Sequence, residues 1–371
     1  MKVERDIAGM ALPFAAGVAA SVWAGEIICF QPLFSSATAS LTLLCSFLLL
    51  VHPNRRNFDP ITLQTVIFIL FVSCGILCGI RAHIVTVYIP VKDSIITWIR
   101  HMGTATAEAI DGIGFRDSDT NAMIKALIIG DRSDIPSHIT EAFRTSGASH
   151  ILALSGLHLG IIYGIIGKAL SVLGNTVAAQ RSRTLITVMS CGLYTIATGA
   201  GASITRAFIF ILLGESAKAT GRHSSLGSIL MASMLIHLTI DPMIIKDVGF
   251  QLSYAAMAGI AFIFPHLRDF WHQDTEAASG YRPMKRIWET VAMSVSCQLT
   301  TGPLAYFYFR SFPVNFLLTN LISLPLTALI IPAALLTLVL ECYGICPEIL
   351  LRATEMLVTA LSAALKVISS M

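Results

Sequence analysis

Residues 66–80 read Val66-Ile67-Phe68-Ile69-Leu70-Phe71-Val72-Ser73-Cys74-Gly75-Ile76-Leu77-Cys78-Gly79-Ile80, within an apolar stretch covering 62–81. No charged group interrupts the run. A helix rises about 1.5 Å per residue, so roughly 20 such residues cross the ~30 Å hydrocarbon core of a bilayer. Comparable stretches recur at 10–30, 34–51, 148–173, 184–200, 204–219, 225–241, 246–265, 287–309, 315–340 and 349–369. Of the 371 residues, 55% are hydrophobic and only 13% are charged. Soluble domains carry about 25% charged residues, and half that charge cannot cover the surface of a soluble protein of this size. The mean hydropathy of +0.74 agrees. Composition therefore excludes a soluble enzyme, a disordered chain and a basic nucleic-acid-binding domain. A transmembrane β-barrel needs short alternating strands, which long unbroken apolar runs do not supply. The expected fold is all-α: a polytopic helical transmembrane bundle with about 11 spans.

Basic residues orient the spans. Lys2 and Arg5 precede the first, Arg55 and Arg56 follow the second, and Arg181 and Arg183 follow the fourth. Lys218 and Arg222 follow the sixth, and Arg268, Arg282, Lys285 and Arg286 the eighth. Alternating spans put all of these on one side, while the short loops 31–33 and 201–203 carry no Lys or Arg. The positive-inside rule makes that side, and the N-terminus, cytoplasmic. Pro325 and Pro332 leave 315–340 open between one helix and a re-entrant pair. The first apolar run, reaching about Phe30, exceeds the 7–15 residues of a signal-peptide core and reads as a retained span.

Segment 82–147 differs, with six Lys/Arg and eight Asp/Glu. It is expected outside, as short amphipathic periplasmic helices at the membrane surface. These are Ser94–Ile113 with Ser94 as candidate N-cap, Asp119–Ile129 ending near Gly130, and Pro136–Thr145. Three regions follow: a three-span region over 1–81, an interfacial helical segment over 82–147, and a transmembrane core over 148–371. The net charge of +3 implies no partner by itself. The eight cysteines, Cys29, Cys45, Cys74, Cys78, Cys191, Cys297, Cys342 and Cys346, lie mostly in apolar runs and read as small hydrophobes.

Polar groups inside spans mark the candidate site. In Ser149-His150-Ile151-Leu152-Ala153-Leu154-Ser155-Gly156-Leu157-His158-Leu159-Gly160, a continuous helix places His150, Ser155 and His158 on one side. Gly156, Gly160, Gly164 and Gly167 form a separate stripe where another helix can pack closely. The histidines either bond neighbouring helices or line a polar path. Arg206 opens the sixth span after Gly199-Ala200-Gly201-Ala202-Ser203. Asp247 and Gln251, one turn apart in the eighth, share a face, and Ser253 points elsewhere. Asp247 either pairs with Arg206 or marks the end of its span. Gln298 lies before Pro303, where a kink is expected. Tyr306, Phe307, Tyr308, Phe309 and Phe312, close to Arg310, read as an interfacial belt or as a platform for unpaired bases. No P-loop, no His-Glu-x-x-His and no His-x-His-x-Asp-His run occurs. No ATP motor, metal, cofactor or catalytic centre is expected.

Several ordered blocks carry a resemblance. They are Ala126-Leu127-Ile128-Ile129-Gly130-Asp131-Arg132, Phe143-Arg144-Thr145-Ser146-Gly147-Ala148-Ser149-His150 and Leu154-Ser155-Gly156-Leu157-His158. Thr205-Arg206-Ala207, Asp241-Pro242 and Gly249-Phe250-Gln251-Leu252-Ser253-Tyr254-Ala255-Ala256 follow, then Thr301-Gly302-Pro303 and Asn320-Leu321-Ile322-Ser323-Leu324-Pro325. Over about 120–335 the chain resembles the ComEC/Rec competence family. That resemblance implies a channel in the bacterial cytoplasmic (inner) membrane passing single-stranded DNA during natural transformation. It also implies a periplasmic DNA receptor, a cytoplasmic ATP-driven translocase and a separate nuclease as partners, besides the lipid bilayer. Larger members carry a periplasmic OB-like domain and a metallo-β-lactamase-like nuclease domain. Here 82–147 reads as helical, and the chain is expected to lack the nuclease. On the channel reading, His150, Ser155, His158, Arg206, Asp247, Gln251, Ser253 and Gln298 line the DNA path, while the four glycines pack helices. The alternatives are a small-molecule transporter, for which no inverted repeat is visible, and an intramembrane hydrolase with Ser155 as nucleophile and a histidine as base.

Overall fold

The computed structural model describes residues 2–27, 32–51, 59–84, 93–152, 154–174, 176–221, 224–270, 282–310 and 315–370. Among them there is helix and no strand, as the apolar runs require: away from water, a helix satisfies its own backbone groups. The chain divides into two compact units, each described by itself.

The first unit comprises Met1–Pro90 and Arg222–Ala261. It holds α1 (Lys2–Ile27), α2 (Pro32–Val51), α3 (Pro60–Ile84), α11 (Leu226–Ile240) and α12 (Val248–Ala258). Close approach of α1 and α3 organises it. A Cβ added at Gly17 would overlap the Val72 carbonyl oxygen, and one at Gly75 would overlap that of Phe14. Gly79 meets Ser21 in the same way. Gly75-x-x-x-Gly79 is therefore the small-residue face that lets these backbones touch. Phe14, Val18 and Val22 of α1 are buried with Leu238 and Phe250. Thr42 Oγ1 and Ser73 Oγ, 2.8 Å apart, join α2 to α3.

The second unit comprises Val91–Gly221 and Phe262–Met371. It contains α4 (Asp93–Asp111), α5 (Ser118–Ile128), α6 (Ser137–Thr145), α7 (Ser149–Leu152), α8 (Gly156–Ala169), α9 (Val177–Ala197) and α10 (Ala202–Ala219). It also holds α13 (Phe264–Asp269), α14 (Arg282–Phe309), α15 (Phe316–Cys342) and α16 (Glu348–Ser369). The helices expected in 82–147 are present within a residue or two, Gly130 carrying φ +80° after α5. They are not merely laid on a surface: Ile110, Met123, Leu127 and Phe143 are buried in one core with Ile330, Leu361 and Leu365. The side chain of Ser94, the expected cap, lies outside the described set; Asp117 caps α5, accepting from Asp119 N at 3.1 Å.

Among the described residues, five helical stretches are long and apolar enough to cross a membrane: Asp6–Trp23, Pro60–His83, Gly156–Leu173, Val248–Asp269 and Phe316–Cys342. Ser36–Val51 and Leu226–Ile240 are shorter apolar helices. α9, α10, α14 and α16 occupy the remaining expected positions but carry more charge, such as Arg206, Glu215 and Lys218 in α10. Pro325 and Pro332 lie inside α15, so 315–340 is one helix rather than a re-entrant pair. α14 likewise continues through Pro303.

Candidate functional site

The expected continuous helix over 148–173 is broken. α7 ends at Leu152 and α8 begins at Gly156, with Ser155 in extended conformation between them. The local chemistry explains the break. Ser155 Oγ accepts from Leu157 N at 3.3 Å, and His158 Nδ1 accepts from Ser155 N at 3.2 Å, a reciprocal capping box. Serine at this position competes for the backbone better than it continues a helix. His150, Ser155 and His158 therefore do not share one side of one helix. His150 is exposed, its ring Nδ1 3.2 Å from the Gly147 carbonyl oxygen. His158 is fully buried, and its Nε2 has no hydrogen-bond partner among the described residues.

The glycine stripe divides as well. A Cβ on Gly156 would sit 3.3 Å from the Ala207 Cβ, so the start of α8 lies close against α10. A Cβ added at Gly160, Gly164 or Gly167 would meet nothing within 4 Å beyond its own helix, and all three are exposed. Among the described glycines, those against which another helix's backbone or serine comes closest are Gly17, Gly75 and Gly79.

Around Gly156, α8, α9 and α10 pack through Leu159, Cys191 and Ile204. Arg206, one residue before Ala207, is 3% exposed inside the unit. Ser155, His158 and Arg206 thus belong to one bundle. Gln298 lies in the same unit and lines a cleft of about 420 Å³ with Pro303, Tyr306 and Phe316. Tyr306, Phe307 and Phe309 are exposed, as either reading of the aromatic run requires; Phe312 lies outside the described residues.

Asp247, Gln251 and Ser253 belong to the first unit. Asp247 is the N-cap of α12, its carboxylate accepting from Phe250 N at 2.6 Å. Of its two expected roles, the structure displays the one that marks the end of a span. Gln251 donates from Nε2 to the Ile245 carbonyl at 2.8 Å, bracing the turn before α12. Ser253 is half-buried.

Two polar clusters escaped the sequence reading. Glu215, 8% exposed, accepts from Tyr163 Oη and Lys218 Nζ at 2.7 Å each and from Thr184 Oγ1 at 3.2 Å. The Glu215–Lys218 spacing was its only linear trace. In α5, Lys125 is 5% exposed and bonds to Asp111 and Asp134. Burial pushes its pKa down, but these two carboxylates outweigh burial and hold it above the ordinary lysine value.

Residues 127–371 match the family of competence proteins, which is more than half of the chain. The chain belongs to that competence family. Relatives agree with this. ComE operon protein 3 of Bacillus subtilis is 25% identical over 58% of this chain and 25% of its own length. An uncharacterised Escherichia coli protein, YcaI, is 22% identical over 60% of this chain and 30% of its own. Competence protein ComA of Neisseria gonorrhoeae is 25% identical over 38% and 21%. This competence-family chain spans only about a fifth to a third of the length of these relatives. No solved structure matches it.

Proposed function

We propose that the chain forms a path for single-stranded DNA across the bacterial cytoplasmic membrane during natural transformation. Membership of the competence family supports DNA uptake as the process. The observation that carries the channel reading is the interrupted α7–α8 helix beside buried Arg206. Non-helical backbone at membrane depth is tolerated only where protein buries it or an aqueous cavity meets it, and a buried arginine there marks a substrate or ion pathway. A polyanion requires a cation along its path, and Arg206 supplies one. On this reading the chain crosses the membrane about 11 times with a cytoplasmic N-terminus. It is not an enzyme, and a periplasmic receptor, an ATP-driven translocase and a nuclease act beside it.

One contact favours a hydrolase instead: Ser155 Oγ lies 3.0 Å from His158 Nδ1. The capping box accounts for that contact, because the same Nδ1 accepts from the Ser155 amide. A nucleophile's base also needs an orienting third group, and no described residue hydrogen-bonds His158 Nε2.

The test is uptake of labelled DNA by a deletion strain complemented with wild type, Arg206→Lys or Arg206→Ala. Lysine keeps the charge that phosphate requires, while alanine removes it. Uptake is expected to survive with lysine and fall at least tenfold with alanine. Full uptake in the deletion strain would overturn the proposal.

A further inference from the structure

The C-terminal ends of α8 and α10 and the N-terminal end of α9 enclose a cleft of about 290 Å³. Its polar wall holds Arg181, Arg183 and Lys218, and its apolar wall Leu170 and Val177. Three cations face one carboxylate, Glu215, which Tyr163, Thr184 and Lys218 already satisfy. Arg183 donates from one guanidinium nitrogen to the carbonyls of Ser171 and Gly174, while its buried Nε has no acceptor among the described residues. Such a donor wants an anion. The cleft borders an apolar helix face: Val177, Leu185 and Met189 of α9 are 67%, 63% and 64% exposed.

We propose that this cleft binds one anionic phospholipid. The phosphodiester sits among Arg181, Lys218 and Arg183, and an acyl chain lies along the exposed face of α9. Basic pockets between spans at the cytoplasmic end take anionic headgroups, and Lys/Arg placement assigns this end to the cytoplasm. The mixed lining favours an amphiphile over nucleic acid, which has no apolar tail to cover Val177 and Leu185. The proposal depends on the membrane setting and not on DNA transport.

Native mass spectrometry of the full chain in neutral detergent, with phosphatidylglycerol against phosphatidylcholine, tests it. One phosphatidylglycerol should be retained in preference to phosphatidylcholine. Arg181→Gln and Lys218→Gln should each weaken it about fivefold, the effect of one basic residue at a headgroup. Arg181→Lys should restore it, and Arg144→Gln, an exposed arginine on α6, should change nothing. Arg181 is exposed and keeps the test valid if Lys218→Gln disturbs the Glu215 cluster. Equal retention of both lipids, or unchanged affinity in Arg181→Gln, would overturn the proposal. So would competition by millimolar inorganic phosphate as effective as that by lipid. Oligodeoxythymidylate binding lost in the same variants, without lipid preference, would assign the cleft to nucleic acid instead.

Discussion

At the scale of single residues, buried charge and helix caps carry the sharpest expectations. The Lys125 ammonium is buried, whereas Asp111 and Asp134 are about half exposed. Removing the lysine leaves two carboxylates that water can solvate. Removing both carboxylates strands a buried cation, which costs about 3–5 kcal/mol. Asp111→Asn with Asp134→Asn should therefore lower the melting temperature in detergent far more than Lys125→Met. The raised Lys125 pKa sets the sign with pH. Its contribution is complete below the ordinary lysine pKa and is lost as pH rises through the raised folded value. Asp131 acts oppositely: hydrogen bonds from the Ser133 amide and hydroxyl hold its carboxyl below the usual range. That stabilisation is present above pH ~4 and lost as pH falls through the folded value. Melting curves across pH should decline at both extremes, and Asp131→Asn should flatten the acid limb. At the cap, Ser155→Ala should cost about 1 kcal/mol and leave partial DNA uptake, while Ser155→Asp keeps an acceptor and most of the stability. Complete loss of uptake in Ser155→Ala, at normal membrane abundance, would favour the hydrolase.

At the scale of elements, two glycine sets separate by what faces them. Gly75→Leu would drive a side chain into the Phe14 carbonyl, and α1 and α3 would have to part. Gly164→Leu adds a side chain where nothing lies within 4 Å. Gly75→Leu is expected to abolish folded protein by size-exclusion chromatography, and Gly164→Leu to elute as wild type. Both glycines sit in apolar runs of similar hydropathy, so local composition cannot rank them. Gly-x-x-x-Gly spacing cannot rank them either, since it occurs at Gly75/Gly79 of α3 and at Gly156/Gly160/Gly164 of α8; only in α3 does a neighbour stand against each glycine of the pattern, while in α8 Gly156 alone meets one. The break before α8 was also illegible: the apolar run reads as continuous helix until the Ser155 side chain turns back to cap it.

At the scale of the whole molecule, the basic segments set the expected topology. Single cysteines placed in 52–60, 174–183, 220–224 and 266–286 should resist an impermeant thiol reagent applied to intact spheroplasts, because segments with clustered Arg and Lys stay cytoplasmic. Labelling of two or more would reverse the orientation. Helical class, membrane residence and the family blocks from Ala126 to Pro325 follow from linear order alone. Hydropathy and helix-forming runs are sums over neighbours in the chain, and a bilayer permits few other folds. Other features are decided only in three dimensions: the partners of Glu215 and the core joining Met123 and Phe143 to Leu361. Each depends on which faces meet across tens or hundreds of residues. A lone Glu, Tyr or Gly looks the same in sequence whether a neighbour fills the space before it or leaves it empty.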